Sequence, residues 1–376
     1  MNIDLIVGAP NFTKAAPVVE QLRARRPDWT VRLVHTGQHY DEKLSEVFFE
    51  QLGMPAPDVN LGVGSGTHTY QTTSIMIALE AQFRRERPDL VVVFGDVNST
   101  LAAALVATQL RIPVAHVEAG LRSYDRDMPE ETNRLLTDAL AEVLFVTERD
   151  AEQNLRKEGV PHQKIHFVGN TMIDSLVKHR RAARALCVPE ALGLHSREYV
   201  VVALHRPSNV DSAEQLRSIV YALQSLADHT EVVFPAHPRT VQRLKDGGLW
   251  DDMDRGGRLR VMRPLGYLEF LGLIDEAAAL LTDSGGVQEE AFVLGVPCVT
   301  LRKNTERPIT LQHGGNRLAG EDPHLAVRYV REAMRDRDGA APIPEGWDGH
   351  AATRIVDVLE REFPRRVLTK GSAVGF

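Results

Sequence analysis

The stretch LLTDSGGVQEEAFVLGVPCV, residues 280–299, decides the fold. An apolar run enters Asp283-Ser284-Gly285-Gly286, a helical pattern opens at once, and a second apolar run follows at PCVTLR (297–302). Parallel strands need a crossover between them, and a helix supplies it. Outward from this unit the same grammar repeats. One series comprises YVVVALH (199–205), EVVFPAH (231–237), RVMRPL (260–265) and AALLTDS (278–284). An earlier one comprises IDLIVG (3–8), VRLVHTG (31–37), LVVVFGD (90–96), PVAHVEAG (113–120), EVLFVT (142–147) and KIHFVGN (164–170). These runs lack strict alternation, which marks strands covered on both faces. A polar, helix-prone stretch at roughly 174–197 separates the two series. The expected class is α/β: two doubly wound, Rossmann-like domains facing a cleft. The division is 1–173, 174–350, and a C-terminal helix within 351–376 that packs back on the first domain. Ligands belong at the carboxyl ends of the strands.

Length and composition agree. The chain has 376 residues, 43% hydrophobic and 25% charged, enough for two cores of ordinary size. A formal charge of −7 and the absence of a continuous basic stripe argue against nucleic acid as a partner. The N-terminal MNIDLIVG reads as a first strand and not a signal peptide, and no apolar run reaches membrane-spanning length, so a cytoplasmic location is expected. Cys187 and Cys298 stand far apart and build neither a metal pattern nor a disulfide framework. No H-E-x-x-H, G-x-G-x-x-G, G-x-S-x-G or Walker sequence occurs, so neither a metal nor a redox cofactor is expected.

Residues able to do chemistry collect at strand ends. At Asp283-Ser284-Gly285-Gly286 the glycines admit a close ligand, Ser284 is placed to cap, and free N–H groups at the helix start form an anion seat suited to a diphosphate. Glu290 lies a few residues into that helix, where a carboxylate can accept ribose hydroxyls; the segment also reads as a plain cap with surface glutamates. Arg307, in TERP, is either a phosphate contact or a loop arginine. Asp96 and Glu118 end consecutive apolar strands, where a carboxylate is costly unless paired or used. Glu130, Glu131 and Arg134 follow in PEETNR, a helix start, where Glu130 alone reads equally as a solvated first-turn acid. Crowded carboxylates in a closed cleft have spread pKa values, which proton transfer at a weakly acidic carbon needs. His205 and His237 end two strands of the second series and face the cleft, as phosphate donors or as structural histidines.

Read together, HTGQHYD (35–41), VFGDVNSTLAAALVA (93–107), PVAHVEAGLRS (113–123), PEETNRLLTD (129–138), VGNTMIDSL (168–176), LHRPSNVD (204–211) and TDSGGVQEEAFVLGVPCVTLRKNTERP (282–308) resemble the non-hydrolysing UDP-N-acetylglucosamine 2-epimerases. The strings run in family order from about residue 5 to residue 320. The resemblance implies the glycosyltransferase-B fold, a homodimer, and a UDP-amino sugar as substrate. It implies anti elimination of UDP to a bound 2-acetamidoglucal, then re-addition after the proton has returned to the other face of carbon 2. By position, Asp96, Glu118 and Glu130 match the family's catalytic carboxylates, and Arg134 and His205 its supporting polar residues. Lys14, Phe270, Ser284, Gly285, Gly286, Glu290 and Arg307 match its nucleotide contacts, with Phe270 beside uracil, although in YLEFLGLI it reads as well as a core residue.

The first loop departs from the family pattern. Related enzymes carry Gly-x-Arg-Pro there; this chain has Gly8-Ala9-Pro10-Asn11, with Lys14 kept. Losing one charge-assisted phosphate contact costs about 1.5–3 kcal/mol, so UDP is held more weakly or the substrate differs, unless Lys14 or Arg206 compensates. The family's activator site draws on a Gln-His segment, matched here by Gln38 and His39 but followed by Tyr-Asp. Rival readings are the same chemistry on a modified sugar such as a 2,3-diacetamido uronate, a hydrolysing epimerase, a glycosyltransferase, and a nucleotide-sugar sensor.

Overall fold

The computed structural model describes residues 1–8, 11–37, 49–253, 257–335 and 341–363. Gln38, His39, Ala9 and Pro10 lie outside them. Among the described residues the strands form two sheets with parallel pairing throughout. The first holds β1 (Asn2–Val7), β2 (Thr30–His35), β3 (Val59–Asn60), β4 (Leu90–Phe94), β5 (Val114–Ala119), β6 (Val143–Val146) and β7 (Ile165–Phe167), in the order β3-β2-β1-β4-β5-β6-β7. The second holds β8 (Tyr199–Ala203), β9 (Glu231–Pro235), β10 (Leu259–Met262), β11 (Ala279–Thr282), β12 (Cys298–Thr300) and β13 (Asn316–Leu318), in the order β10-β9-β8-β11-β12-β13. Both orders reverse direction once, between β1 and β4 and between β8 and β11, which is the doubly wound pattern of the glycosyltransferase-B type. Central strands are dry, with every side chain of β4 buried. This is why their sequences show apolar runs and not alternation.

The reading of apolar runs missed β3 and β13. Both are edge strands of two and three residues, too short to print a pattern. Cys298 lies in β12, buried, where burial pushes its thiol up to about 12; it is a core residue. Among the described residues no helix is long and apolar enough to cross a membrane.

The junction between the sheets is a shared element. The helix Thr171–Ala185 runs straight through positions 173 and 174. On one side the Ser175 hydroxyl donates to the Thr13 carbonyl at 2.5 Å. On the other, Arg180 and Arg184 both reach the buried Asp275 carboxylate. The helix Ala351–Glu362 returns to the first sheet: Ile355, Val356 and Leu359 share a core with Val18, Val19 and Leu22. Arg25 there binds Asp357 at 2.7 Å and Glu360 at 2.8 Å. The chain passes between the halves at Gly169 and again near Gly346, and these touch so closely that a Cβ on Gly169 would lie 1.9 Å from the Gly346 carbonyl oxygen.

Candidate functional site

The site is built where β1, β4 and β5 of the first sheet face β8, β11 and β12 of the second. Asp96 lies just beyond β4, after Gly95, whose φ of +62° and close approach to Lys14 disfavour any side chain there. The Asp96 carboxylate is about one-fifth exposed and accepts from Arg134 Nη2 at 2.7 Å and Nε at 3.1 Å. Burial pushes its pKa up, but Arg134, Lys14 and Arg307 outweigh that and hold it below the usual carboxylate range, with Glu306 opposing them. It is charged when no ligand is bound.

Glu118 takes a different position from the open cleft edge that its strand-end place suggested. It is buried, at φ +72°, where the pairing of β5 with β6 slips register. A bulge of this kind re-aims a side chain at a cost in backbone strain. Its Oε1 accepts from Lys14 Nζ at 2.8 Å and Arg307 Nη2 at 3.1 Å, so one carboxylate links the first helix of one half to a loop of the other. Glu130 is half-buried in the first turn of the helix Pro129–Leu140, and among the described residues its carboxylate has no hydrogen-bond or ion-pair partner. Its neighbour Glu131 is fully engaged. It accepts from the Ser123 and Tyr124 backbone N–H groups and from Arg134 Nη1 at 2.5 Å, fixing both a cleft loop and the arginine.

In the second half, Asp283 carries the local order. Buried after β11, it accepts from the backbone N–H groups of His205 and Arg206, from Asn209, and from His205 Nδ1 at 3.0 Å. The His205 ring is 56% exposed, so this anchor orients it toward open space. Ser284 sits at the N-cap position of the helix Gly285–Leu294, yet its hydroxyl caps nothing, contrary to the expected role. Thr282 Oγ1 accepts its N–H instead, at 3.0 Å, which fixes the turn from behind. A Cβ at Gly285 would lie 2.7 Å from Arg307 Nη1 and 2.8 Å from Glu306 Oε1, so only glycine lets those side chains meet the helix start. Gly286 lies against Met172. Glu290 is buried beside Tyr267, not at an open mouth; burial first, and Glu289 second, raise its pKa to about 7 against the lowering effect of the Tyr267 hydroxyl. Phe270 is half-buried at the edge of the main core. His237 caps the helix Pro238–Asp246, and its pKa is lowered by burial and by the neighbouring His205.

Arg307 is buried, and its guanidinium reaches Glu118, Glu289 at 3.1 Å and Glu306 at 2.6 Å. Two residues that the sequence reading passed over belong to the same cluster. Glu306 is buried, and Arg302, also buried, binds its Oε2 at 2.6 Å. The available signal was RKNTER itself (302–307), an acid set between two arginines directly after an apolar strand. The structure therefore brings together Lys14, Asp96, Glu118, Arg134, Ser284, Gly285 and Arg307. Glu130 and His205 stand nearby with open faces, and Phe270, Gly286 and Glu290 lie further along the second half. In place of the absent first-loop arginine, neither named substitute is a free cation: Lys14 is paired with Glu118, and Arg206 donates to the Asp283 carbonyl and lies 3.8 Å from Glu306.

The arrangement can hold an anion at a helix start, present ionised acids beside it, and enclose a sugar between two walls. Comparisons with known proteins point the same way. A family model described as UDP-N-acetylglucosamine 2-epimerase matches residues 21–360. The UDP-N-acetylglucosamine 2-epimerase of Methanocaldococcus jannaschii is 42% identical over 366 residues, 95% of this chain and 99% of that protein. The UDP-2,3-diacetamido-2,3-dideoxy-D-glucuronate 2-epimerase of Pseudomonas aeruginosa is 40% identical, covering 96% of this chain and 100% of that protein. A crystal structure of the M. jannaschii UDP-GlcNAc 2-epimerase in complex with UDP-GlcNAc and UDP superimposes with a TM-score of 0.89 at 41% identity, over 96% of this chain and all of that one. With a family model spanning most of its length and near-complete relatives above 40% identity, the chain belongs to the UDP-N-acetylglucosamine 2-epimerase family of enzymes.

Proposed function

We propose that the chain inverts carbon 2 of UDP-N-acetylglucosamine, giving UDP-N-acetylmannosamine, by eliminating UDP and adding it back through a 2-acetamidoglucal. The observation that carries this reading is the contact of Glu118 with Arg307: an acid of the first sheet and a cation of the second meet beside the glycine-opened helix start. Departure of UDP builds positive character at carbon 1, which acidifies the proton on carbon 2. A carboxylate then removes that proton, and a second acid returns one to the opposite face. Asp96, Glu118 and Glu130 are the candidates for these two roles, with Arg134 orienting Asp96 and His205 presenting its ring to the leaving phosphate. The diphosphate is read as held by Ser284, Gly285, Gly286, Lys14 and Arg307, the ribose by Glu290 and the uracil by Phe270. Fixed cations and N–H groups stabilise the charge that develops on the leaving group. To accept a diphosphate, Arg307 and Lys14 must exchange carboxylate partners for phosphate, which couples substrate binding to release of Glu118.

The units 1–173 and 174–350, with the returning helix, are the bodies that close over the glucal. A cytoplasmic homodimer completes the reading. A second substrate is favoured by one observation. The P. aeruginosa relative, named for a diacetamido glucuronate, is nearly as similar to this chain as the M. jannaschii one, so identity does not choose between sugars. Incubation with each UDP-sugar in deuterium oxide tests both. Deuterium at carbon 2, with gluco and manno forms in mixture and no free UDP accumulating, is expected for the true substrate. No exchange with either sugar defeats the proposal.

A further inference from the structure

Asp96 and Glu118 are each held by one arginine, and both arginines converge on a third acid. Glu306 Oε1 accepts from Arg307 Nη1 at 2.6 Å and lies 3.9 Å from Arg134 Nη2 and 3.8 Å from Arg206 Nη2; its Oε2 accepts from Arg302 Nη2 at 2.6 Å. Arg134 comes from the first half and the other three from the second. We propose that Glu306 is a positioning residue, a buried anchor that shares its two oxygens among arginines of both halves and so sets how firmly Arg134 grips Asp96 and Arg307 grips Glu118. This rests on the reading of Asp96 and Glu118 as proton-transfer groups.

Electrostatics gives the anchor a direction. Buried guanidinium groups gathered this closely repel one another strongly unless an anion lies among them. Glu306 is that anion, and the arginines around it keep it ionised well below the usual carboxylate range although burial opposes them. Its charge draws Arg134 and Arg307 partly away from their catalytic partners. Neutralising it leaves both arginines more fully on Asp96 and Glu118, and Asp96 becomes a weaker base. The groups facing Asp96 are Arg134, Lys14, Glu306 and Arg307. Those facing Glu118 are Lys14 and Arg307, with Glu289 and Glu148 behind them. Glu306 also lies against the start of the helix Gly285–Leu294, where a Cβ on Gly285 would be 2.8 Å from its Oε1. A carboxylate there opposes any incoming phosphate.

A mere structural brace and an electrostatic anchor therefore behave differently. For Glu306→Gln we expect carbon-2 deuterium exchange to slow about tenfold or more, and the acid limb of its pH profile to move down by about one pH unit. UDP should bind several-fold more tightly by calorimetry, because one opposing charge is gone. Arg302→Met, which removes a cation from the far oxygen, should move the acid limb the opposite way. An unmoved limb in Glu306→Gln, or slower exchange with weaker UDP binding, overturns the proposal. Should Glu306→Gln fail to fold by circular dichroism, Arg302→Met decides alone: a limb that stays or falls overturns it. A wild-type chain that binds UDP but never exchanges deuterium sinks the functional reading instead, while the change in UDP affinity still tests the anchor.

Discussion

Each half of the molecule contains a histidine paired with a buried aspartate, and the two pairs are used in opposite ways. In the first half His116 Nδ1 meets Asp138 Oδ1 at 2.7 Å, and Nε2 reaches the Gly95 carbonyl at 2.8 Å; neither residue is exposed. In the second, His205 Nδ1 meets Asp283 at 3.0 Å, but the ring is more than half exposed, and among the described residues Nε2 has no partner. An imidazole with both nitrogens committed can only hold a shape, and His116 holds the turn that delivers Asp96. An imidazole with one nitrogen oriented by an acid and the other facing a cleft has a donor or acceptor to spare. The difference lies in burial and not in the pair itself.

That contrast sets an order of expected effects. The largest belongs to the residue the inner pair supports: Asp96→Asn should lower carbon-2 deuterium exchange by about a thousandfold or more, while UDP binding by calorimetry stays within about twofold. Near-normal exchange would remove Asp96 from the chemistry and leave the inner pair supporting nothing. Next, His116→Ala should cost about 3 kcal/mol of stability in a denaturant titration, since it opens a buried cavity and leaves the Gly95 carbonyl without its partner, while Asp138 keeps only Arg122 and the Gly120 N–H. A midpoint like that of the parent chain would show that the inner pair is dispensable. The outer pair should respond the other way. His205→Ala is expected to slow exchange about 10- to 100-fold while shifting stability by about 0.5 kcal/mol or less; a stability loss as large as that of His116→Ala would erase the distinction.

The smallest effect comes from another enclosed acid. The Glu290 pKa is raised from 4.5 to about 7, first by burial and then by Glu289. A raised pKa means that the folded form binds its proton more tightly than the unfolded form. Stability from this group is therefore complete below 4.5 and is lost as pH rises through about 7. Glu290→Gln should flatten that decline, so its melting temperature should gain a few degrees on the parent between pH 5 and 8, about the effect of 1–2 kcal/mol. Parallel melting curves across that window would contradict the buried, proton-binding state of Glu290.

Much of this was legible in the sequence. Apolar runs marked eleven of the described strands because those strands are covered on both faces. Strand-end acids, the Asp-Ser-Gly-Gly turn and the Arg307 loop all reached one cleft. What stayed hidden depends on distance and backbone angle. Nothing in VAHVEAG announces that Glu118 sits in left-handed backbone, turned inward toward Lys14. His116 and Asp138 are 22 residues apart, and a histidine inside an apolar strand gives no hint of its partner. Glu306 was overlooked because an acid between arginines looks like solvated surface until the fold buries all of them. Glu131 has no role of its own in the reading of PEETNR, and only the structure shows that it is spent on a loop while Glu130 is open.

The doubled passage at Gly169 and Gly346 has a consequence for how the two halves can be parted. Because the polypeptide crosses out beside the helix Thr171–Ala185 and comes home as the helix Ala351–Glu362, a single protease nick in the segment 186–198 does not release two fragments. The returning helix stays seated on Phe12–Arg25 by its apolar face and by the Arg25 ion pairs. The nicked molecule should migrate as one species on a sizing column under native conditions and split only in denaturant.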